Sequence, residues 1–154
     1  MERSCFLIGH RDASSDIAGA LEEAIWDHIR TKGVREFYVG NHGRFDAMAI
    51  SILRRVRAAE PSVRVYLSLA YHPSIRPCEI PEGFDGSYYP EGMETVPPRY
   101  AISRLDAHMV RRCDCLIACV TRQYGGAYAV LRRARAREKA GEMTVVNLAE
   151  ESGL

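Results

Sequence analysis

The residues best suited to chemistry lie in one short turn, residues 40–46, which reads Gly-Asn-His-Gly-Arg-Phe-Asp. The turn follows a β-branched and aromatic run at 37–39 and precedes apolar residues at helical spacing, so we predict a strand before it and a helix after it. Free backbone N–H groups at a helix start, together with the helix dipole, favour a phosphate or another anion. An ordinary strand–helix turn without a ligand is the alternative.

Two further turns have the same place between a predicted strand and a predicted helix. Gly9, His10 and Arg11 close the apolar run 5–9, and residues 121–126, Thr-Arg-Gln-Tyr-Gly-Gly, follow the apolar run 114–120. Each turn adds backbone donors and polar side chains. Three such turns indicate a nucleotide or phosphosugar pocket more strongly than any one of them.

The elements that must position these turns follow from hydrophobic periodicity. We predict five strands alternating with helices, near residues 5–9, 37–39, 63–69, 114–120 and 144–148. This alternation is typical of α/β proteins with a parallel sheet between helices. Right-handed crossovers make 3-2-1-4-5 the commonest strand order. We therefore predict a Rossmann-like three-layer sandwich with a five-stranded parallel sheet in that order.

The chain length fits one domain, residues 1–154, with a single interruption of the alternation. Residues 71–98 show no periodicity and contain six of the seven prolines together with several tyrosines. We interpret this segment as a Pro/Tyr-rich insertion. Loops of this length are often lids or binding loops, and an ordered cover over the sheet edge is the alternative.

The predicted order brings the three turns to one edge, because parallel strands have their carboxyl ends on the same side. Arg99 joins them as a side chain that binds phosphate or pairs with a carboxylate. No dinucleotide fingerprint follows the first strand, and no Walker-type lysine turn is present, which argues against an ordinary dehydrogenase or ATPase. The candidate ligand-binding residues are Gly9, His10, Arg11, Gly40, Asn41, His42, Gly43, Arg44, Asp46, Arg99, Thr121, Gly125 and Gly126.

The composition of the chain argues against several classes of binding partner. The 21 basic and 20 acidic residues give a formal charge of +1, which argues against binding to nucleic acid or an anionic membrane surface. No apolar run reaches membrane-spanning length. The five cysteines lack the spacing of a zinc site, and we interpret them as reduced thiols of a cytoplasmic protein. We expect no metal and no cofactor.

Short motifs outside the turns complete a recognisable pattern. They are Tyr-Pro-Glu-Gly at 89–92, Val-Pro-Pro-Arg at 96–99, Val-Thr at 120–121, Gly-Gly-Ala at 125–127 and Val-Asn-Leu at 146–148. With the turns at 9–11 and 37–46, this pattern resembles the SLOG superfamily over nearly the whole chain, and within it the small bacterial branch that includes YpsA. The resemblance implies a Rossmann-like domain that binds a nucleotide or a nucleotide-derived ligand.

Three functions follow from this resemblance. The first is a binding module, a sensor or sequestering protein, in which Asp46 accepts a hydrogen bond from a ribose hydroxyl. The second is a nucleoside-monophosphate phosphoribohydrolase of the Lonely Guy type, with Asp46 as the candidate catalytic residue for N-glycosidic cleavage. The third is DNA binding in the manner of DprA, against which the near-neutral charge argues.

We expect the first function, because no second acid or nucleophile is evident beside Asp46 in its turn. If Asp46 has no ligand, its carboxylate stabilises its helix through the dipole by about 0.3–1 kcal/mol. The expected partner is a nucleotide-derived small molecule. A homo-oligomer stays open as an alternative.

Overall fold

The computed structural model describes residues 2–151. It is an α/β fold of the general Rossmann-like kind, with one parallel sheet between two layers of helices. The strands are β1 (Arg3–Gly9), β2 (Val34–Val39), β3 (Arg64–Ser68), β4 (Gly86–Tyr88), β5 (Cys115–Cys119) and β6 (Thr144–Asn147). The helices are α1 (Ala18–Thr31), α2 (Arg44–Ala59), α3 (Ala101–Arg112), α4 (Gly126–Lys139) and the short α5 (Leu148–Glu151).

The prediction of five strands in the order 3-2-1-4-5 is wrong. The sheet has six strands in the order β4-β3-β2-β1-β5-β6, and all neighbours are parallel. The additional strand, β4, lies inside the segment 71–98 and pairs with β3 at the sheet edge. Its sequence, Gly-Ser-Tyr, has no apolar run that could indicate a strand.

The carboxylate of the neighbouring residue Asp85 explains how β4, which has no apolar pattern, is kept in the sheet. The Asp85 backbone N–H donates to the Val65 carbonyl at 2.9 Å, and the Val65 N–H donates to Asp85 Oδ2 at 2.8 Å. Arg57 of α2 makes a bidentate contact with the same carboxylate at 3.0–3.3 Å. The β4 segment is thus positioned by tertiary contacts and not by its own residue pattern.

The core has one cluster on each face of the sheet. On one face, α1 and α2 contribute residues such as Leu21, Ile25 and Leu53 at helical spacing. On the other face, Leu105 and Met109 of α3 and residues of α4 pack on β1 and β5. Alternate strand residues point to the two faces, so β1 supplies both clusters.

The rest of segment 71–98 lies against the carboxyl edge of the sheet and against α3. Arg76 and Cys78 line a small cavity together with Asn41 and His42. The Tyr88 hydroxyl is hydrogen-bonded to His108 Nε2 at 2.7 Å. Within the described range, none of the helices combines the length and the apolar character that crossing a bilayer requires.

Candidate functional site

A cavity of about 290 Å³ opens at the carboxyl edge of the sheet, between α3 and the first turns of α2 and α4. Its walls are apolar, with Phe6, Ile8, Ile102 and Leu105 among them, and its polar groups come from five different parts of the chain. The predicted residues that line it are Gly9, His10, Arg11, Gly40, His42, Asp46, Gly125 and Gly126.

Five predicted residues do not line this cavity. Arg99 is exposed and its guanidinium lies over the Tyr100 ring, 4.8 Å from the centroid. The Asn41 side chain points to Cys78 and donates to its Sγ at 3.1 Å. Gly43, Arg44 and Thr121 act through their backbones: Gly43 precedes α2, the Arg44 N–H donates to the Arg11 carbonyl, and the Thr121 N–H donates to His10 Nε2.

Close packing explains why glycine occupies two of the predicted positions. A Cβ on Gly9 would lie 2.4 Å from the Phe45 ring, because α2 packs directly on the end of β1. A Cβ on Gly43 would lie 2.5 Å from the Arg11 Cα, and the φ angle of Gly43 is 99°. Because these two positions lack a side chain, the turn after β1 can pack directly against the turn after β2.

Asp46 is buried in the first turn of α2 and projects into the cavity. The His42 backbone N–H donates to its Oδ2 at 2.8 Å. Burial raises the pKa of Asp46 to about 7, although the His42 N–H and the Arg11 charge act in the opposite direction. At neutral pH this carboxyl is therefore able both to accept and to give a proton.

Asp106 is a second acid in the same cavity, and the sequence analysis did not identify it. Burial, together with the nearby charge of Asp46, raises its pKa to about 7. Within residues 2–151 no group donates a hydrogen bond to its carboxylate or forms an ion pair with it. The available signal was its position on α3, where an acid follows Ile102 by four residues and interrupts an apolar stripe.

Ser68 is a third polar group that sequence reasoning missed. It ends β3, it is fully buried, and it lines the cavity. Its Oγ has no hydrogen-bond partner among the described residues. Buried hydroxyls are normally hydrogen-bonded, so a group of this kind beside a cavity indicates a place for a ligand or a water.

Two helix N-termini, those of α2 and α4, lie at the cavity and have backbone N–H donors. In α2 the first N–H, that of Arg44, already donates to the Arg11 carbonyl at 2.8 Å. Neither helix start is capped by a side chain of residues 2–151, and Gly125 precedes α4 with a φ of 93°. Gly126 and Ala127, which begin α4, line the cavity, so their backbone N–H groups are available to an anion there.

His10 and Arg122 hold the turn before α4. His10 Nε2 accepts a hydrogen bond from the Thr121 N–H at 3.1 Å. Burial, and then the Arg122 charge, lowers the pKa of His10, which fits a neutral ring acting as acceptor. Arg122 lines the cavity and makes a bidentate contact with Asp12 at 3.0–3.1 Å.

Arg11 and His42 occupy the middle of the site. Burial lowers the pKa of His42, and the charges of Arg11 and Arg76 act in the same direction. Arg11 also lowers the pKa of both cavity acids. In the part of the chain that the structure describes, no group of three or more His, Cys, Asp or Glu side chains could hold a metal ion.

The cavity thus joins a cationic end, at Arg122 and the N-terminus of α4, to an acidic end at Asp46 and Asp106. An arrangement of this kind suits a ligand that carries an anion at one end and hydrogen-bond donors at the other. No protein-family model matches this chain, and no curated protein matches it significantly.

Proposed function

We propose that this protein belongs to the SLOG superfamily and binds a nucleotide or a nucleotide-derived ligand in this cavity. The observation that carries the proposal is that one apolar cavity is lined both by the N-terminus of α4 and by two acids, the buried Asp46 and the half-buried Asp106. Phosphate binds the backbone N–H groups of Gly126 and Ala127, aided by the helix dipole. Arg122 reaches the same phosphate if it leaves Asp12.

The volume supports a small member of this ligand class. Ligand cavities usually measure about 300–1,000 Å³, and this one, at about 290 Å³, lies at the lower end. A mononucleotide suits that volume better than a dinucleotide does. The apolar walls, which include Ile102 and Leu105, provide a surface on which a base can pack.

A second candidate function is N-glycosidic cleavage, and Asp106 is the observation that favours it. The charge of Asp46 raises the pKa of Asp106, so the two carboxyls titrate as a pair that can hold a single proton near neutral pH. A protonated acid can donate its proton to the leaving base as the C1′–N bond breaks, while the ionised partner stabilises the positive charge on the sugar. Water then forms the new bond to C1′ and gives its proton to that partner. The sequence alone offered only one of these acids.

Titration calorimetry with nucleoside monophosphates tests the binding proposal through Gly126→Val. A side chain at Gly126 covers the N–H groups that hold the phosphate, so we expect affinity to fall at least tenfold. The fold should tolerate the change, since a Cβ there has no atom within 4 Å. Gly19→Val is the matched control, because Gly19 also lies in a first helical turn with open space around it.

The outcomes separate the two functions. Equal affinity of wild type and Gly126→Val would contradict the phosphate position, and the absence of binding by any nucleoside monophosphate would contradict the proposal itself. Chromatography of the same mixtures detects free base. Release of base by wild type, lost in Asp46→Asn, would establish the enzyme in place of the binding module.

A further inference from the structure

We propose that the acidic end of the cavity recognises a nucleobase edge with two adjacent N–H donors, as guanine has, through Asp106 and Ser68. This inference rests on the proposed function, since it assumes that a nucleotide occupies the cavity with its phosphate at α4. It adds the identity of the base.

The sheet order decides which part of the ligand meets these residues. Between β5, which leads into α4, and β3, which ends in Ser68, lie β1 and β2. Three spacings between neighbouring strands amount to about 14 Å. The ribose hydroxyls of a nucleotide lie close to its phosphate, whereas the edge of the base lies at the far end. Ser68 is therefore placed to meet the base.

Asp106 has the right hydrogen-bonding capacity for two donors. Asp46 already accepts the His42 N–H on Oδ2, but within residues 2–151 both oxygens of Asp106 are without a partner. A carboxylate with two free oxygens accepts two parallel N–H groups, and such charge-assisted hydrogen bonds are stronger than those between neutral groups. The N1–H and 2-amino groups of guanine are adjacent donors of this kind.

Ser68 supplies the complementary group. Its Oγ is fully buried, lines the cavity and lacks a partner among the described residues, so a ligand acceptor would satisfy its hydroxyl. Guanine carries the O6 acceptor next to N1–H, which completes a donor–donor–acceptor edge. Adenine has only one donor on that edge, and uracil has one N–H between two carbonyl oxygens.

The shape of the cavity admits a flat ring at this end. Gly40 lies between the ends of β1 and β3 and has no side chain, and a Cβ there would stand 3.0 Å from Asp46 Oδ2. Ile102 and Leu105 of α3 also line the cavity. A ring can therefore pack on these apolar side chains, beside the open backbone of Gly40, while its edge faces Asp106 and Ser68.

Calorimetry with GMP and IMP tests this assignment, because the two nucleotides differ only in the 2-amino group. We expect wild type to bind GMP at least tenfold more tightly than IMP. Asp106→Asn should abolish this preference, since an amide has one acceptor where the carboxylate has two. Ser68→Ala should weaken GMP and IMP alike, because both carry O6. Asp16→Asn, at an exposed position outside the cavity, is the matched control.

Failure of the base assignment can be distinguished from failure of the proposed nucleotide binding. If wild type binds GMP and IMP equally, or binds AMP more tightly than GMP, the base assignment is overturned and the nucleotide site stands. If GMP, IMP, AMP, CMP and UMP all fail to bind, the proposed function and this inference are both overturned. The comparison of GMP with IMP needs only the wild-type chain, so it holds even if a variant does not fold.

Discussion

At the scale of single residues, the two cavity acids Asp46 and Asp106 lower the stability of the folded protein. Removing a carboxyl from water disfavours its ionised form, and this raises the pKa of the buried Asp46 and of the half-buried Asp106 to about 7, with the charge of Asp46 adding to the effect at Asp106. Replacing such residues would make the ligand-free protein more stable. A protein therefore retains them where they are needed to bind a ligand. This is the expected signature of a site and not of a core.

The pH dependence of stability tests that signature in Asp106→Asn. The raised pKa means that between about pH 4 and pH 7 the folded chain binds more protons than the unfolded chain, so stability falls as pH rises through this window. Asparagine at position 106 does not ionise, so the variant avoids the free-energy cost of ionising Asp106 in the folded protein. We expect its melting temperature at pH 8 to exceed that of wild type by at least about 2 °C, and the two to converge near pH 4.

Differential scanning calorimetry from pH 4 to pH 9 provides the measurement, without nucleotide. Asp16→Asn, which changes an exposed carboxylate, should leave the wild-type profile almost unaltered. A melting temperature for Asp106→Asn at or below that of wild type at pH 8 would show that Asp106 is stabilising, contrary to our interpretation.

At the scale of elements, the site depends on how closely α2 packs on the end of β1. Phe45, in the first turn of α2, is fully buried against Gly9, and this contact fixes the helix whose first turn also carries Asp46. The backbone contact from Arg44 N–H to the Arg11 carbonyl adds a second tie between the two turns. The geometry of the site is therefore set by packing at positions that a ligand does not need to touch.

Gly9→Ala tests this packing. The new Cβ would stand 2.4 Å from the Phe45 ring, so the helix must shift, and overpacking of this kind costs about 1–3 kcal/mol. Gly19→Ala, in an open position on α1, should instead stabilise the protein by about 0.5–1 kcal/mol. Urea unfolding monitored by circular dichroism measures both. A Gly9→Ala variant as stable as wild type would refute the proposed close contact.

At the scale of the whole molecule, Asp85 attaches the segment that carries β4 to the rest of the fold. It connects α2, through Arg57, with the backbone of β3 at Val65. The hydrogen bond from Arg57 chiefly lowers the pKa of Asp85, so the stability that Asp85 contributes is present above the pKa of its unfolded form and is lost as pH falls. This pH dependence is opposite in sign to that of Asp106.

Asp85→Ala should release the edge of the sheet. We expect the free energy of unfolding to fall by about 1–3 kcal/mol, since the Val65 N–H and Arg57 lose their acceptor. Amide hydrogen exchange measured by mass spectrometry should speed up at Gly86–Tyr88. Glu82→Ala is the control, because among residues 2–151 Glu82 forms only an exposed ion pair with Arg54 at 3.8 Å, and its loss should change stability by less than about 0.5 kcal/mol. Unchanged exchange in Asp85→Ala would contradict the attachment.

The sequence by itself determined the elements whose residue pattern matches their period. The runs that became β1, β2, β3, β5 and β6 are apolar at strand spacing, and helices such as α2 carry their buried residues three and four apart. The glycine turns before α2 and α4 could be located for the same reason, since glycine permits positive φ at Gly43 and Gly125. These features depend on neighbours along the chain.

Only the tertiary structure decided the rest, because it depends on groups far apart in sequence. The strand β4 exists through its pairing with β3 and the contacts of Asp85, neither of which its three residues encode. Asp106 and Ser68 are ordinary residues until α3 and β3 bring them to one cavity, where burial leaves the Ser68 hydroxyl without a partner among residues 2–151. Conversely, Arg99 has the chemistry for phosphate, but the turn at Pro98–Tyr100 places it at an exposed position, where its guanidinium lies over the Tyr100 ring outside the cavity.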